Sequence, residues 1–243
     1  MLSKEILYTF FVLLMGLFSY FVQKKSKSRL VDFFLTIIGL SICLFYVENR
    51  VELIIFLFGI IFGYISDLLG VYAKMWKYAT KNGYSYWVGT GWGLFFLFVY
   101  KAKNITLIET LPLIIISIII SFKYSKKIFS EEKYQRIGYV IKILAFFLNP
   151  VFFLYVYSMG TLIEFIAVDL FKVWKYESLE YFRIGTGYAL FYIYPERIIE
   201  YFLTKTITPT NTQLIILTII SIYFASMIPY TYFYKKRKHK NIK

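Results

Sequence analysis

The sequence predicts an all-α fold: a polytopic membrane helix bundle of eight or nine transmembrane helices, built as two parallel four-helix pseudo-repeats. Three observations predict it. The chain of 243 residues is 59% hydrophobic and 22% aromatic, with a mean hydropathy of +0.61, whereas a soluble domain is nearer half apolar. Its Phe, Tyr and Ile fall in blocks of about twenty residues, the length of helix that crosses a bilayer. Two stretches of the chain also carry the same motifs in the same order.

Nine apolar blocks follow one another, at 5–23, 30–47, 51–70, 86–101, 105–122, 137–157, 159–172, 182–203 and 212–234. The first, Ile6 to Val22, has no A-x-A-like cleavage site. It runs at once into Lys24, Lys25, Lys27 and Arg29, so it reads as a retained span and not a leader. The fourth and seventh are short enough for one of them to be re-entrant. Asn149-Pro150 reads as a kink in the middle of the sixth.

The net charge is +14. The basic residues lie between apolar blocks and form no single basic domain, so nucleic acid is not expected as a partner. They read as orientation signals. With nine spans and the basic tail inside, the inner segments hold 21 of the 28 basic residues. The outer segments hold five: Lys4, Arg50, Lys101, Lys103 and Lys205. Lys142 and Arg197 lie within spans. This asymmetry predicts a multi-pass cell-membrane protein with its N-terminus outside and its C-terminus cytoplasmic, and removing either short span would spoil it. Cys43 and His239 are the only residues of their types. An intramolecular disulfide, a cysteine metal cluster and an intramembrane histidine relay are thereby excluded, and neither metal nor cofactor is expected.

The repeat rests on three blocks. Asp67-Leu68-Leu69, Trp76-Lys77-Tyr78 and Val88-Gly89-Thr90-Gly91-Trp92-Gly93-Leu94-Phe95 stand in the first copy. Asp169-Leu170-Phe171, Trp174-Lys175-Tyr176 and Ile184-Gly185-Thr186-Gly187-Tyr188-Ala189-Leu190-Phe191 stand in the second. W-K-Y followed by G-T-G is the informative part. Four spans separate equivalent points, so the repeats are parallel. The expected units are residues 1–29 (an extra helix and a basic loop), 30–124 (first repeat) and 125–243 (second repeat with the basic tail). Sites in such proteins lie between the halves.

Several residues are candidates for chemistry. Gly89/Gly93 and Gly185/Ala189 have small-xxx-small spacing, which lets helices pack closely. Alternatively, Gly89, Thr90, Gly91, Gly185, Thr186 and Gly187 lie near helix N-termini at the cytoplasmic end. With Lys77 and Lys175 they would suit an anionic headgroup. Asp67 and Asp169 read as matched acids at inner span ends, either capping or functional. Glu164, unpaired at helical spacing, is the leading candidate for an intramembrane proton donor or acceptor. Glu196, Arg197 and Glu200 share one helix side after Pro195, as a local ion pair or a site. Glu48 and Glu52 read as solvated headgroup-level residues.

The second half resembles the membrane-bound lycopene cyclase domain of carotenoid biosynthesis. The resemblance runs through Ile166-Ala167-Val168, then Trp174, then Pro195-Glu196-Arg197, where the family has a Pro-x-Glu-Glu motif. The second Glu of that motif is replaced by Arg197 or displaced to Glu200. The first half has no Pro-Glu counterpart after Trp76. The resemblance covers about forty residues and implies that Glu196 donates a proton to a polyene.

Phosphate-loop, Asp-rich prenyltransferase, zinc-protease and nucleophile-elbow patterns are absent from the sequence. Three classes remain. The first binds or modifies a membrane lipid, an isoprenoid or another amphipathic small molecule between the repeats. The second carries a small or amphipathic solute. The third is a non-catalytic assembly partner in the membrane. The first leads, because aromatic-rich helices beside a possible anion site suit an amphipathic ligand.

Overall fold

The computed structural model describes residues 3–25, 29–72, 76–78, 87–125, 133–176 and 180–240. Among these the chain is all-helical apart from one short ribbon. In order come α1 (Lys4–Lys25), α2 (Arg29–Tyr46), α3 (Arg50–Tyr72), β1 (Trp76–Tyr78), α4 (Trp87–Lys101), α5 (Leu107–Tyr124), α6 (Lys133–Phe146), α7 (Pro150–Phe165), β2 (Trp174–Tyr176), α8 (Tyr181–Ile198) and α9 (Asn211–Lys240). Both α7 and α8 widen into a π-helical turn at their C-terminal end, Ile166–Leu170 and Ile199–Leu203.

Arg50–Tyr72, Leu107–Tyr124 and Pro150–Leu170 are long and apolar enough to cross a membrane. Outward-facing apolar side chains agree with a lipid environment. Leu44, Phe45, Ile108 and Phe122 are each more than two-thirds exposed, where a water-soluble protein would bury residues of this size.

The first five helices match the blocks read from the sequence. The sixth and seventh do not. The break falls at Phe147–Asn149, not near residue 158, so the sixth helix is the short one and the seventh is full length. Asn149-Pro150 is accordingly a helix start and not a kink. The Asn149 side chain accepts from the N–H of Phe152 at 3.4 Å, and Pro150 opens the helix. An N-cap Asn followed by Pro at the first helical position is a stable start, because Pro has no N–H to leave unsatisfied there. Glu164 therefore lies near the end of its helix and not near its beginning.

Helices α4, α7 and α8 form the buried centre. Helix α3 packs along α4, and α7 along α8. Helix α3 turns Ile55, Phe56, Gly59, Gly63 and Asp67 inward and exposes Leu53, Leu57, Ile61 and Ile65 on the opposite face. The glycines give room for rings. Gly63 faces the Trp92 side chain of α4, and Gly160 faces Tyr188 of α8, so that a Cβ on either glycine would overlap its ring.

Those two rings meet each other. Trp92 and Tyr188 stack at 5.1 Å, Phe96 and Tyr192 lie at 4.8 Å, and Tyr192 Oη donates to the carbonyl of Phe96 at 3.2 Å. Phe95–Tyr188 at 5.6 Å is mirrored by Trp92–Phe191 at 5.7 Å. Close by in sequence, β1 pairs antiparallel with β2 in the register Trp76↔Tyr176, Lys77↔Lys175 and Tyr78↔Trp174. Buried hydroxyls join the remaining helices. Thr9 of α1 meets Tyr155 of α7 at 3.0 Å, Ser117 of α5 donates to the carbonyl of Ser158 at 3.1 Å, and Ser121 meets Tyr157 at 2.9 Å. Small and hydroxylated residues are the usual adhesive where lipid removes the hydrophobic drive for helix association.

Both π-turns end alike. Lys172 and Lys205 each have φ 53°. The next amide reaches back six residues, Val173 to Ala167 and Thr206 to Glu200, at 2.9 Å in both cases. This is a Schellman-like close with lysine where glycine is usual.

The two conserved-looking G-T-G glycines give opposite predictions on substitution. At Gly89 an added Cβ would have nothing nearer than Tyr64 at 3.4 Å, so Gly89→Ala should stabilise the helix by about 0.5–1 kcal/mol. At Gly185 it would overlap Thr161 Oγ1 and meet the Tyr157 carbonyl at 2.8 Å. Gly185→Ala should destabilise by about 1–3 kcal/mol. Thermal unfolding midpoints in detergent should move in opposite directions.

Candidate functional site

Two buried polar clusters stand at opposite ends of α8. At its N-terminal end, Glu164 is 3% exposed and fully provided with donors. Trp174 Nε1 donates to it at 2.9 Å and Tyr188 Oη at 2.8 Å, and the Tyr176 hydroxyl is a third partner. The W-K-Y segment thus brings both its aromatic polar groups to one carboxyl, because alternate residues of a strand share a face. Low solvent access first, and the neighbouring Glu164 second, push the Tyr176 phenol well above its ordinary range. It therefore stays a donor at any ordinary pH.

Asp67 is also buried, within electrostatic reach of Glu164 and Tyr176. Glu164 stands in a like setting on α7. Asp67 stands four residues after Gly63 and Glu164 four after Gly160, the two glycines that face the stacked rings. Asp169, the acid matched to Asp67 by sequence, lies instead in the π-turn, is exposed, and accepts from Tyr181 Oη. The mismatch has a visible cause. The Asp67–Asp169 separation is 102 residues, whereas W-K-Y repeats at 98 and G-T-G at 96; Glu164, at 97, fits the series.

The G-T-G residues serve as packing surfaces. Gly89 and Gly185 lie against α3 and α7, and Thr90 is buried. Thr186 Oγ1 donates to its own helix, to Phe182 O at 2.7 Å and Arg183 O at 3.2 Å. Gly91 borders the Trp87 ring, and Gly187 has nothing within 4 Å of its Cβ position. Because α8 begins at Tyr181, Gly185 is already past the first turn. The amide of Tyr181 is taken by Ser125 Oγ at 2.9 Å. Lys175 is exposed, and Lys77 is placed only by its backbone in β1, its side chain lying outside the described residues.

The start of α8 holds a polar group not foreseen from the sequence. Glu180 is 1% exposed, accepts from Tyr139 Oη at 2.7 Å, and lies 3.7 Å from Arg183 Nε. Lys142 of α6 donates to the carbonyl of Arg183 at 2.8 Å. That contact explains a lysine inside the apolar stretch of α6.

At the other end of α8 lies a denser cluster. Glu196, Arg197 and Glu200 are nearly inaccessible. Arg197 Nη1 donates to Glu200 Oε2 at 2.9 Å. The other Glu200 oxygen accepts from Tyr100 Oη and from Lys103 Nζ, both at 3.2 Å. Lys103 also donates to Tyr100 Oη at 2.8 Å. Burial alone would lower the Lys103 ammonium; its contacts with Tyr100 and Glu200 outweigh that and hold it above its ordinary value. Glu200 is thus saturated, while Glu196 is not. Glu196 Oε2 and Arg197 Nε are 3.2 Å apart, yet neither makes a hydrogen bond, and Tyr201 Oη beside them has none either. Pro195 precedes them and cannot donate to the preceding turn, and the π-turn follows. Such irregular helix recurs at functional sites.

Tyr100 and Lys103 were invisible in the sequence because about a hundred residues separate them from Glu200. A neighbouring pair corrects another expectation. Glu52 is buried and paired with Lys101 at 2.9 Å, and only Glu48, 3.2 Å from the same lysine, is exposed. Among the described residues no group of three His, Cys, Asp or Glu side chains is placed to hold a metal ion. No family model matches the chain, and neither a curated protein nor a solved structure is detectably similar to it.

The Glu164 cage can be tested by removing single partners. Trp174→Phe leaves a buried carboxyl one donor short and should cost about 1–3 kcal/mol. Glu164→Leu strands three donors at once and should cost more than Glu164→Gln, which keeps one acceptor oxygen. The order of unfolding midpoints in detergent checks this; equal losses for Gln and Leu would show that the cage bonds do not carry the stability.

Proposed function

We propose that this chain is a multi-pass membrane protein of two parallel four-helix repeats that binds or modifies a lipid or isoprenoid between them, with Glu196 as its acid–base group. All nine helices cross the membrane in this reading, with the N-terminus outside and the C-terminus cytoplasmic. The charge asymmetry of the sequence supports that orientation.

The contact pattern supports the repeat. Trp92 and Tyr188 are 96 residues apart, as are Phe96 and Tyr192, and each pair touches across α4 and α8. Lys77 and Lys175, central in their W-K-Y segments, are register partners. A residue that meets its own counterpart marks an axis of twofold relation, as in a symmetric dimer.

One observation carries the ligand reading: a buried ion pair, Glu196 Oε2 and Arg197 Nε at 3.2 Å, whose atoms, with Tyr201 Oη, meet no hydrogen-bond geometry at the outer end of that interface. Native structures leave few such atoms, and each asks for a missing partner. The lycopene cyclase resemblance singles out the same Glu196. Phe202 and Leu203, on the adjoining π-turn, are more than half exposed, so lipid lies one helix wall away. The solute-carrier reading is weaker because aromatic rings fill the contact between α4 and α8 along its length.

Native mass spectrometry of gently extracted protein, followed by lipid extraction, tests this. A specific co-purifying lipid or polyene should be retained by wild type and reduced at least about tenfold in Glu196→Gln, the loss expected for one charge-assisted hydrogen bond. Bulk lipid alone in both proteins would overturn the reading and favour an assembly role.

A further inference from the structure

We infer that the C-terminal end of α9 is a basic collar that binds the phosphate headgroups of anionic lipids in the inner leaflet, an inference that rests on α9 crossing the membrane as proposed above and not on the Glu196 cluster. Helix α9 is continuous from Asn211 to Lys240. From Leu214 to Tyr234 it carries no charged residue over 21 positions, about 31 Å of helix. That length matches the hydrocarbon core of a bilayer. Tyr230, Tyr232, Phe233 and Tyr234 end this stretch, and such aromatic residues favour the level of the headgroup boundary. The helix then continues through Lys235-Lys236-Arg237-Lys238-His239-Lys240, about 9 Å more. The basic segment thus stands in the headgroup layer, within about one Debye length of the lipid phosphates.

Three features separate this segment from an ordinary orientation signal. Without the tail the inner side still holds fifteen basic residues against five outside, so the orientation does not need it. No Asp or Glu occurs between Glu200 and Lys243, so the segment brings no counter-charge of its own. Five of its six residues are Lys or Arg, and a helix of about 3.6 residues per turn distributes those positions over all its sides. A helix that lies flat on a membrane needs an apolar face, and this one offers none. It stands upright in the headgroup layer and meets lipid all round. Zwitterionic lipid presents no net charge to such a ring. An anionic leaflet attracts it, with a gain of about fivefold for each Lys or Arg near the surface.

The full chain is exchanged into mixed detergent micelles holding equal amounts of dioleoylphosphatidylglycerol and dioleoylphosphatidylcholine, and the retained lipids are counted by native mass spectrometry. Phosphatidylglycerol should be retained about tenfold over phosphatidylcholine at low salt, and the margin should shrink as salt rises. Changing Lys235, Lys236, Arg237, Lys238 and Lys240 together to Gln should cut that margin at least about fivefold. Lys238→Gln with Lys240→Gln should cut it less, in step with the charge removed. Changing the four lysines to Arg should preserve it, because charge and not shape is read. Equal retention of the two lipids by wild type, or a margin unchanged in the five-site Gln variant, would overturn the inference while leaving the lipid reading at Glu196 intact. Removal of the tail by protease added outside sealed cells would overturn the topology on which the collar rests, whatever the micelles retain.

Discussion

Trp92 and Tyr188 stack at 5.1 Å where α4 crosses α8, and each is there because a glycine faces it, Gly63 on α3 and Gly160 on α7. The rest of the interior follows from that contact. With the rings seated in glycine notches, α3 lies close along α4 and α7 close along α8. The buried acids four residues beyond the notches, Asp67 and Glu164, are brought within electrostatic reach of each other. In lipid there is no hydrophobic gain from hiding one apolar helix behind another, so close contact and internal hydrogen bonds must hold the helices together. Rings against glycines supply the first. The Thr9–Tyr155, Ser121–Tyr157 and Tyr192–Phe96 bonds supply the second.

Where the sequence was legible, one strong local signal stood alone. Long apolar blocks bounded by charged residues locate α1 to α5, and W-K-Y marks the two segments that become paired strands. The reading failed where two local signals competed. Residues 137–157 read as one apolar block despite Lys142 and Asn149, and that run hides the start of α7. The Asn149 cap and Pro150 mark it clearly, but Pro within an apolar run reads equally well as a kink. A second difficulty is register. Asp67 and Asp169 are both Asp before Leu, but Asp169 lies in the π-turn at Ile166–Leu170, while Glu164, like Asp67, stands four residues after a ring-facing glycine. A constant spacing was the better guide, and 97, 98 and 96 residues form a series that 102 does not join.

Glu164 stands out in the sequence as an unpaired acid in an apolar block and Glu196 through the lycopene cyclase resemblance, and the structure gives the two different surroundings. Glu164 is enclosed by Trp174, Tyr188 and Tyr176, which together do for it what water would do outside. Nothing remains for a ligand to complete, and the cage reads as an anchor that ties α7, β2 and α8 together. Glu196 has one oxygen unbonded among groups that are likewise incomplete. The difference depends on Tyr100, Lys103 and the strand geometry at Trp174, none of which is close in sequence to the acid it acts on or recognisable as its partner.

The cluster at the C-terminal end of α8 is expensive to build. Glu196, Arg197 and Glu200 lie within five residues at the end of a buried helix, and a hydrophobic replacement of such a group is often no less stable. A purely structural role predicts that the charges saturate one another, as Lys101, Glu48 and Glu52 do a short distance away. They do so only in part. Glu200 takes up Arg197 Nη1, Tyr100 Oη and Lys103 Nζ, and this leaves the guanidinium Nε edge beside Glu196 Oε2, at 3.2 Å. Tyr201, on the π-turn that follows, joins the same cluster, with the Arg197 guanidinium 5.8 Å from its ring centroid. One acid is spent on holding the arginine by its Nη1 and the other meets the Nε edge of the same guanidinium, so that one buried cation is shared by two buried carboxyls, and Lys103 is needed to balance the second charge.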